Sequence, residues 1–326
     1  MPSKLYNMKR GNAVLPDLAG GMASLGLGIG NVYYVVQAAN THVYNYVQAN
    51  YAQTYADGSV SVHTTIASAL TATVANRNDY VIVMPDSSDY DITAALAMSK
   101  RNVHLICPAG MNEGGLPTNA ARVHQNTNAT ACITVTADCV EIAGLFFKGE
   151  EGSDIITLSS TRWHAVIHDN FFGIAATASS NNYGIVGTGA CSHCSIYNNY
   201  FTNYSPGAMS GTNNDVAAFV ALTSASSTRN NINNNYMMTG ANTTVAAAIS
   251  YAGYGGFIVG NYIFENLAFG GSDAGTLTLG ISTSTDCLVV DNKIGVVTAA
   301  NAVSGGTADS SYVTNYEATS GGTLAT

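Results

Sequence analysis

Five segments of this 326-residue chain repeat one pattern of apolar and polar positions. They read AVIHDNFF (165–172), CSIYNNYF (194–201), NNINNNYM (230–237), GFIVGNYI (256–263) and LVVDNKI (288–294). Each carries an apolar residue three places before an Asn and another two places after it. The sets are Ile167-Asn170-Phe172, Ile196-Asn199-Phe201, Ile232-Asn235-Met237, Ile258-Asn261-Ile263 and Val289-Asn292-Ile294. An earlier copy, VEIAGLFF (140–147), has Leu145 in the Asn place. A second short β run precedes each copy: CITVT (132–136), IITL (155–158), YGIVG (183–187), AAFVAL (217–222), AAAISY (246–251) and TLTLGI (276–281). Short β runs divided by turn residues and repeated along a chain predict a solenoid.

The Asn positions lie 29, 36, 26 and 31 residues apart. A hexapeptide left-handed solenoid would hold a fixed period, so coils with variable loops predict a right-handed parallel β-helix. Asn tolerates the left-handed backbone conformation that sharp corners require. Stacked once per coil, Asn170, Asn199, Asn235, Asn261 and Asn292 are expected to form an amide ladder along the axis. The next position holds Phe171, Tyr200, Tyr236 and Tyr262, with Lys293 ending the row. Alternation points that row outward, where it forms either a plain surface stack or a contact surface for a protein or a sugar.

The first third differs. In VHTTIASALTATVAN (62–76), Ile66, Leu70 and Val74 recur at four-residue spacing, which predicts a helix with one apolar face. It is expected to cap the open end of the solenoid, whose strand edges need a cover. Residues 1–58 do not carry the repeat. They hold a small basic arm, Lys4, Lys9 and Arg10, and a charge-poor run with Tyr33, Tyr34, Tyr44 and Tyr46. An exposed aromatic segment is a liability, so this arm is expected to serve assembly. The predicted division is an arm at 1–58, a β-helix at 59–300 and a tail or cap at 301–326.

Composition narrows the function. Apolar residues make up 47% of the chain and charged residues only 10%, with a net charge of −9. The apolar share is too high for a disordered acidic chain, and the charge argues against general nucleic-acid binding. Six cysteines spread through a long chain do not resemble a small disulfide scaffold and fit a reducing compartment. No run of 18 apolar residues predicts a membrane span. Pro16, Asp17 and Gly20-Gly21 interrupt the one stretch that could pose as a leader.

The run TTIASALTATVANRNDYVIVMPDSSDYDITAALAMSKRNVHLICPAG (64–110) resembles the opening of the pectate-lyase-like right-handed β-helices. There a helix covers the first coil, a strand leads to a Pro-Gly-x-Tyr turn, and a basic-Asn-Val strand follows. Here Pro85-Asp86 stands where Pro-Gly is common, with Tyr90 nearby and Lys100-Arg101-Asn102-Val103 beyond. The resemblance covers roughly residues 60–295 and implies the fold rather than an activity. The chain is also similar to β-helical virion proteins of tailed bacteriophages, which implies a homo-oligomer, with a trimer favoured.

Candidate chemistry is sparse. Polysaccharide hydrolases need paired acids, and calcium-dependent lyases a carboxylate cluster with a base. In coils 160–300 the acids Asp169, Asp215, Glu265, Asp273, Asp286 and Asp291 do not pair locally. Asp169 and Asp291 share a repeat position, but three coils lie between them, with Asn198, Asn234 and Gly260 in that place. Glu150, Glu151 and Asp154 form one acidic loop, open to a cation or simply solvated. Cys191-Ser192-His193-Cys194, with His164 and His168 one coil away, invites a metal reading but lacks a second ligand pair. No catalytic residue, metal site or cofactor is therefore assigned.

These features lead to the expectation of a non-enzymatic structural protein on the capsid exterior of a tailed phage, made in the host cytoplasm. It would decorate or cement the capsid, contacting the major capsid protein or another virion protein, and neither nucleic acid nor membrane. The alternatives are a tailspike-type polysaccharide depolymerase and a bacterial surface adhesin.

Overall fold

The computed structural model describes residues 30–108, 120–175, 182–204, 215–240, 244–265, 276–283, 286–295, 302–305, 311–313 and 316–317. Their strands form three large parallel sheets, the faces of a right-handed parallel β-helix, and one two-stranded sheet of Arg162–Trp163 with Cys191–Ser192. Each full coil contributes one strand to each face, three rather than the two runs legible in the repeat.

One coil shows the plan. Val166–His168 lies in the first sheet, Phe171–Ala175 in the second and Tyr183–Gly187 in the third. The next coil repeats this with Ser195–Tyr197, Tyr200–Tyr204 and Asp215–Leu222. Each strand pairs in register with its counterpart one coil on: Ile167 with Ile196, Phe172 with Phe201, Ile185 with Val220. Strand alternation therefore puts like on like inside. Ile142, Ile167, Ile196, Ile232, Ile258 and Val289 stack in the first sheet, all buried. Phe147, Phe172, Phe201, Met237, Ile263 and Ile294 do so in the second. The rings of Phe172 and Phe201 stack 4.5 Å apart. Each such side chain contributes about 1.5–3 kcal/mol on burial, so the columns dominate the favourable side of folding.

The corners correct one point of the sequence reading. The left-handed residue between the first and second sheets is not the repeat Asn but the residue before it. Gly144, Asp169, Asn198, Asn234, Gly260 and Asp291 all have φ between 53° and 72°. The Asn follows, buried, on the first position of the new face. A second left-handed corner precedes the first sheet, at Asn102, Cys139, His164, His193, Arg229, Gly255 and Asp286.

The N-terminal end departs from the expected boundary. Val32–Val35 is already a strand of the first sheet, lying between Val62–His63 and Asp79–Val83. The solenoid thus begins before residue 59. Tyr33 is fully buried in the main core and Tyr34 is 8% exposed, stacked 4.7 Å from Tyr51. Both belong to the fold of this chain and cannot serve an assembly contact as expected. The reason is local. The Tyr33 hydroxyl donates to Ala72 O at 2.9 Å and accepts from Arg77 Nη2 at 2.6 Å, so its polar end is satisfied inside. Tyr44 and Tyr46 sit on the helix Thr41–Tyr51, with Tyr46 48% exposed. Lys4, Lys9 and Arg10 lie outside the described residues.

The expected 62–76 helix is shorter, Ile66–Ala72. Thr65 caps its start, its hydroxyl accepting from Ser68 N. Ile66, Ala69 and Leu70 join the main core and close the end of the solenoid, whereas Val74 is 43% exposed. The chain turns extended at Thr73, and Val74 N donates to the buried Asp79 carboxylate. Lys100 Nζ donates to the carbonyls of Leu70 and Thr71, filling acceptors at the helix end. At the other end, Val303–Gly305, Ser311–Val313 and Tyr316–Glu317 extend the three sheets past residue 300. Within the segment expected as a tail or cap, these described residues continue the coil.

Candidate functional site

The repeat Asn residues converge on one line. Asn170, Asn199, Asn235, Asn261 and Asn292 are each 0–1% exposed. In every step the Asn donates twice to the Oδ1 of the next, from its backbone N–H and from Nδ2. The distances are 3.1 and 3.2 Å from Asn170 to Asn199, then 3.1 and 3.0 Å to Asn235. Asn235 to Asn261 gives 3.0 Å twice, and Asn261 to Asn292 gives 3.0 and 2.9 Å. The second Nδ2 hydrogen reaches a first-sheet carbonyl one coil back, such as Ile167 O from Asn199. Leu145 N donates to Asn170 Oδ1 and so attaches the preceding coil to the ladder. Fully paired buried amides of this kind fix the register of the coils. They present no group to a ligand.

Outside the ladder runs the aromatic row. Phe171 and Tyr200 stack at 4.9 Å, and Tyr200 and Tyr236 at 4.8 Å. Phe146 extends the row backward, edge-on to Phe171. Tyr262 leaves the stack, beside Phe264, and its ring takes Lys293 Nζ at 4.5 Å. Within the stack the ring faces cover one another and the edges turn to solvent. A sugar packs on a ring face, so this geometry favours surface stacking over sugar binding along these rings. Tyr236 and Tyr262 keep 37% and 40% exposure.

Among the described residues the largest ionic network sits on the outer face of the first sheet, in the earlier coils. Glu141 is held between two imidazoles. Its Oε2 lies 2.6 Å from His104 Nδ1 and its Oε1 2.9 Å from His168 Nε2. His104 Nε2 lies 2.7 Å from Asn78 Oδ1, and His168 Nδ1 lies 2.6 Å from Asp169 Oδ2. Tyr80 stacks on His104 at 4.2 Å and Tyr197 on His168 at 4.8 Å. The hydrogen bonds from the two imidazoles hold Glu141 down at about 2. Burial works to lower His168, but its bonds to Asp169 and Glu141 prevail and push it up to about 9. A cavity of about 290 Å³ opens beside the network, lined by Asn78, Asn102, His104, Cys139, Val140, Glu141, His164 and Val166. The chemistry is that of a locked ion pair. At neutral pH Glu141 has no proton to give and His168 holds its own, which suits structure better than acid–base catalysis.

The acidic loop divides. Glu150 Oε1 meets His124 Nε2 at 2.8 Å, while Asp91 Oδ1 meets His124 Nδ1 at 3.0 Å. Asp154 turns away to accept from Tyr183 N at 3.1 Å, and burial pushes it up to about 6. Glu151 is exposed. Asp89, Asp91 and His124 offer ligand atoms within 4.8 Å of one another, the donor set of a metal site. Asp89 is already paired with Arg122 at 2.8 Å, and both His124 nitrogens face carboxylates. These ion pairs account for the cluster without a cation.

Cys191 and Cys194 are buried in the core, while His193 lies on the outer side and stacks on His164 at 5.1 Å. Thiols and imidazoles therefore fall on opposite sides of the corner. His168 is engaged with Glu141 and does not join them. Asp169 and Asp291 occupy equivalent left-handed corners, four coils apart.

No protein-family model matches the chain, and no curated protein matches it. Among solved structures it is similar to the Dettilon tailspike protein, at 13% identity and a TM-score of 0.38, over 78% of this chain and 58% of that one. It is similar to a protein of a Geobacillus virus, at 13% identity and a TM-score of 0.31, over 77% and 56%. A pectin methylesterase solved with a hexasaccharide gives 9% identity and a TM-score of 0.31, over 91% and 92%. The chain spans less than two thirds of either viral protein's length.

Proposed function

We propose that the chain is a non-enzymatic structural component of a tailed-phage particle, a capsid-decorating or cement protein on its exterior. It assembles as a homo-oligomer, in the simplest case a trimer. The observation that carries this reading is the outer surface of residues 170–295. In sequence that stretch holds only seven charged residues, Asp215, Arg229, Glu265, Asp273, Asp286, Asp291 and Lys293, and of these Glu265 is buried. In the same stretch Tyr236, Tyr254, Phe257 and Tyr262 stand 37–50% exposed. Depletion of charge with enrichment of Tyr and Phe is the composition of an interface core, not of a solvated face. Closed symmetric assembly is the usual way for a chain to cover such a side with copies of itself. The earlier coils carry the ion pairs and stay suited to solvent. The step from oligomer to virus particle rests on the resemblance of the sequence to β-helical proteins of bacterial viruses.

The test is to purify intact particles, identify this chain by mass spectrometry and locate it by imaging with a tag. Its presence on the capsid shell supports the reading. Its absence from particles contradicts it. Clearance of host polysaccharide by the isolated protein would support the depolymerase alternative instead.

A further inference from the structure

The turn that leads into the second sheet brings two carboxylates beside an imidazole. Tyr90–Ile92 is a strand of that sheet, and Ala121–Gln125 pairs with it one coil on, with Asp91 opposite His124. Tyr90 is buried in the main core, so strand alternation turns both its neighbours, Asp89 and Asp91, to the outer face that His124 shares. The turn itself is held. Gln37 Nε2 donates to Asp89 O at 2.9 Å, and the Tyr90 hydroxyl donates to Met84 O at 2.6 Å. Among the described residues, Asp89, Asp91 and His124 are the one group of metal-ligating side chains whose donor atoms converge, all within 4.8 Å of one another.

The hydrogen bonding of His124 is one donor short in the neutral ring. Its Nδ1 lies 3.0 Å from Asp91 Oδ1, and its Nε2 lies 2.8 Å from Glu150 Oε1. A neutral imidazole carries one N–H. In either tautomer one ring nitrogen therefore presents a lone pair to a carboxylate oxygen, acceptor against acceptor. A second proton satisfies both contacts, and so does a metal ion on one side. With the N–H donating to Glu150, the Nδ1 lone pair faces Asp91, which is the carboxylate–histidine–metal arrangement. His168 also lies between carboxylates, but among the described residues no such group of three donors converges there.

We propose that Asp89, Asp91 and His124 Nδ1 bind one divalent first-row cation such as Zn²⁺, with Glu150 orienting the imidazole from behind. A mixed set of imidazole and carboxylates suits Zn²⁺ and its neighbours better than the hard cations, which take oxygen alone. Ligand bonds of about 2.0–2.2 Å put donors on one ion about 3.3 Å apart. The Asp91–His124 pair is already near that spacing. Asp89 has to turn in from Arg122, its ion-pair partner at 2.8 Å, and Arg122 also donates to Ser87 O. The ion pairs are thus the cation-free state of the site, and the cation competes with Arg122 for Asp89. Three protein ligands leave the remaining positions to water.

The experiment titrates ZnCl2 into the full chain, stripped with a chelator, and follows binding by calorimetry. The expected result is one strong site per chain. His124→Gln and Asp91→Asn, each with a circular dichroism spectrum that matches the wild type, should weaken it at least about tenfold, and Glu150→Gln about tenfold through the imidazole alone. Arg122→Gln should tighten it, a gain that a merely structural role of these residues does not produce. Asp91 is 58% exposed, so its variant keeps the test open where His124→Gln fails to fold. No binding at millimolar Zn²⁺ would overturn the proposal. So would full-strength binding in a folded His124→Gln or Asp91→Asn variant, which would place the ion on other side chains.

Discussion

At the scale of the residue, the five ladder asparagines are buried side chains whose amides are hydrogen-bonded from coil to coil. Replacing Asn235 by Leu removes the acceptor for the N–H and Nδ2 of Asn199 and the donor to Ile196 O, all buried. It should cost about 2–4 kcal/mol, read as a shift in the denaturant midpoint. Asn170→Leu should cost less, because the coil before it already carries Leu145 in that place and fewer bonds are lost.

Two titrations follow from the ion pairs. His168 is raised to about 9, so its contribution is complete below about pH 6.5 and is lost as pH rises through 9. Glu141 is lowered to about 2, so its contribution is complete above about pH 4.5 and is lost as pH falls through 2. Between pH 7 and pH 9.5 the wild type should lose stability that a His168→Gln variant does not lose over the same range. Asp154 works in the opposite sense. Burial raises it to about 6, so the folded state binds the extra proton and loses stability as pH rises through 4 to 6. Asp154→Asn keeps the acceptor for Tyr183 N and should be more stable than wild type at pH 7, with little difference at pH 3.5.

At the scale of the element, the sequence shows the ladder and its apolar frame better than the corners or the third face. The ladder imposes one residue type per coil, and the apolar frame around it is fixed by alternation, so the repeat could be read directly. The third strand and the position of the left-handed residue could not. Asp, Asn and Gly all satisfy that corner, and the mixture at Asp169, Asn198, Asn234, Gly260 and Asp291 hides it. The consequence is testable. Asn198→Gly should be near neutral, while Asn198→Val should cost about 1–2 kcal/mol, because a β-branched residue is strained at positive φ. The Glu141 network was missed for another reason. His104 and His168 lie 37 and 27 residues from Glu141, and no local motif joins them. The available signal was register: once Ile142 is aligned with Ile167, Glu141 and His168 flank the aligned column on the same outer face. Likewise Tyr33 looked exposed because its first-coil strand stands outside the Asn repeat. At the other end, Asn315 follows Tyr312 at the ladder spacing, but Glu317 breaks the apolar frame that identified the other copies.

At the scale of the whole molecule, the coils divide by chemistry. Ion pairs between described residues cluster between Asp57 and Asp169. Beyond them charged residues are few, and among the described residues Tyr236, Tyr254, Phe257 and Tyr262 are exposed. A solenoid tolerates this asymmetry because each coil is held mainly by its neighbours, so one length can face water and another can face a partner. On this account the pairing of copies along residues 170–295 is what the low charge of the chain serves. The most direct measurement is the mass in solution, by light scattering, of the wild type and of a Tyr236→Glu, Tyr262→Glu double variant whose circular dichroism matches it. The account predicts a wild-type mass three times that of the 33.7 kDa chain, and a folded variant at the mass of one chain. A monomeric wild type at micromolar concentration, or a variant that keeps the oligomer mass, would contradict it.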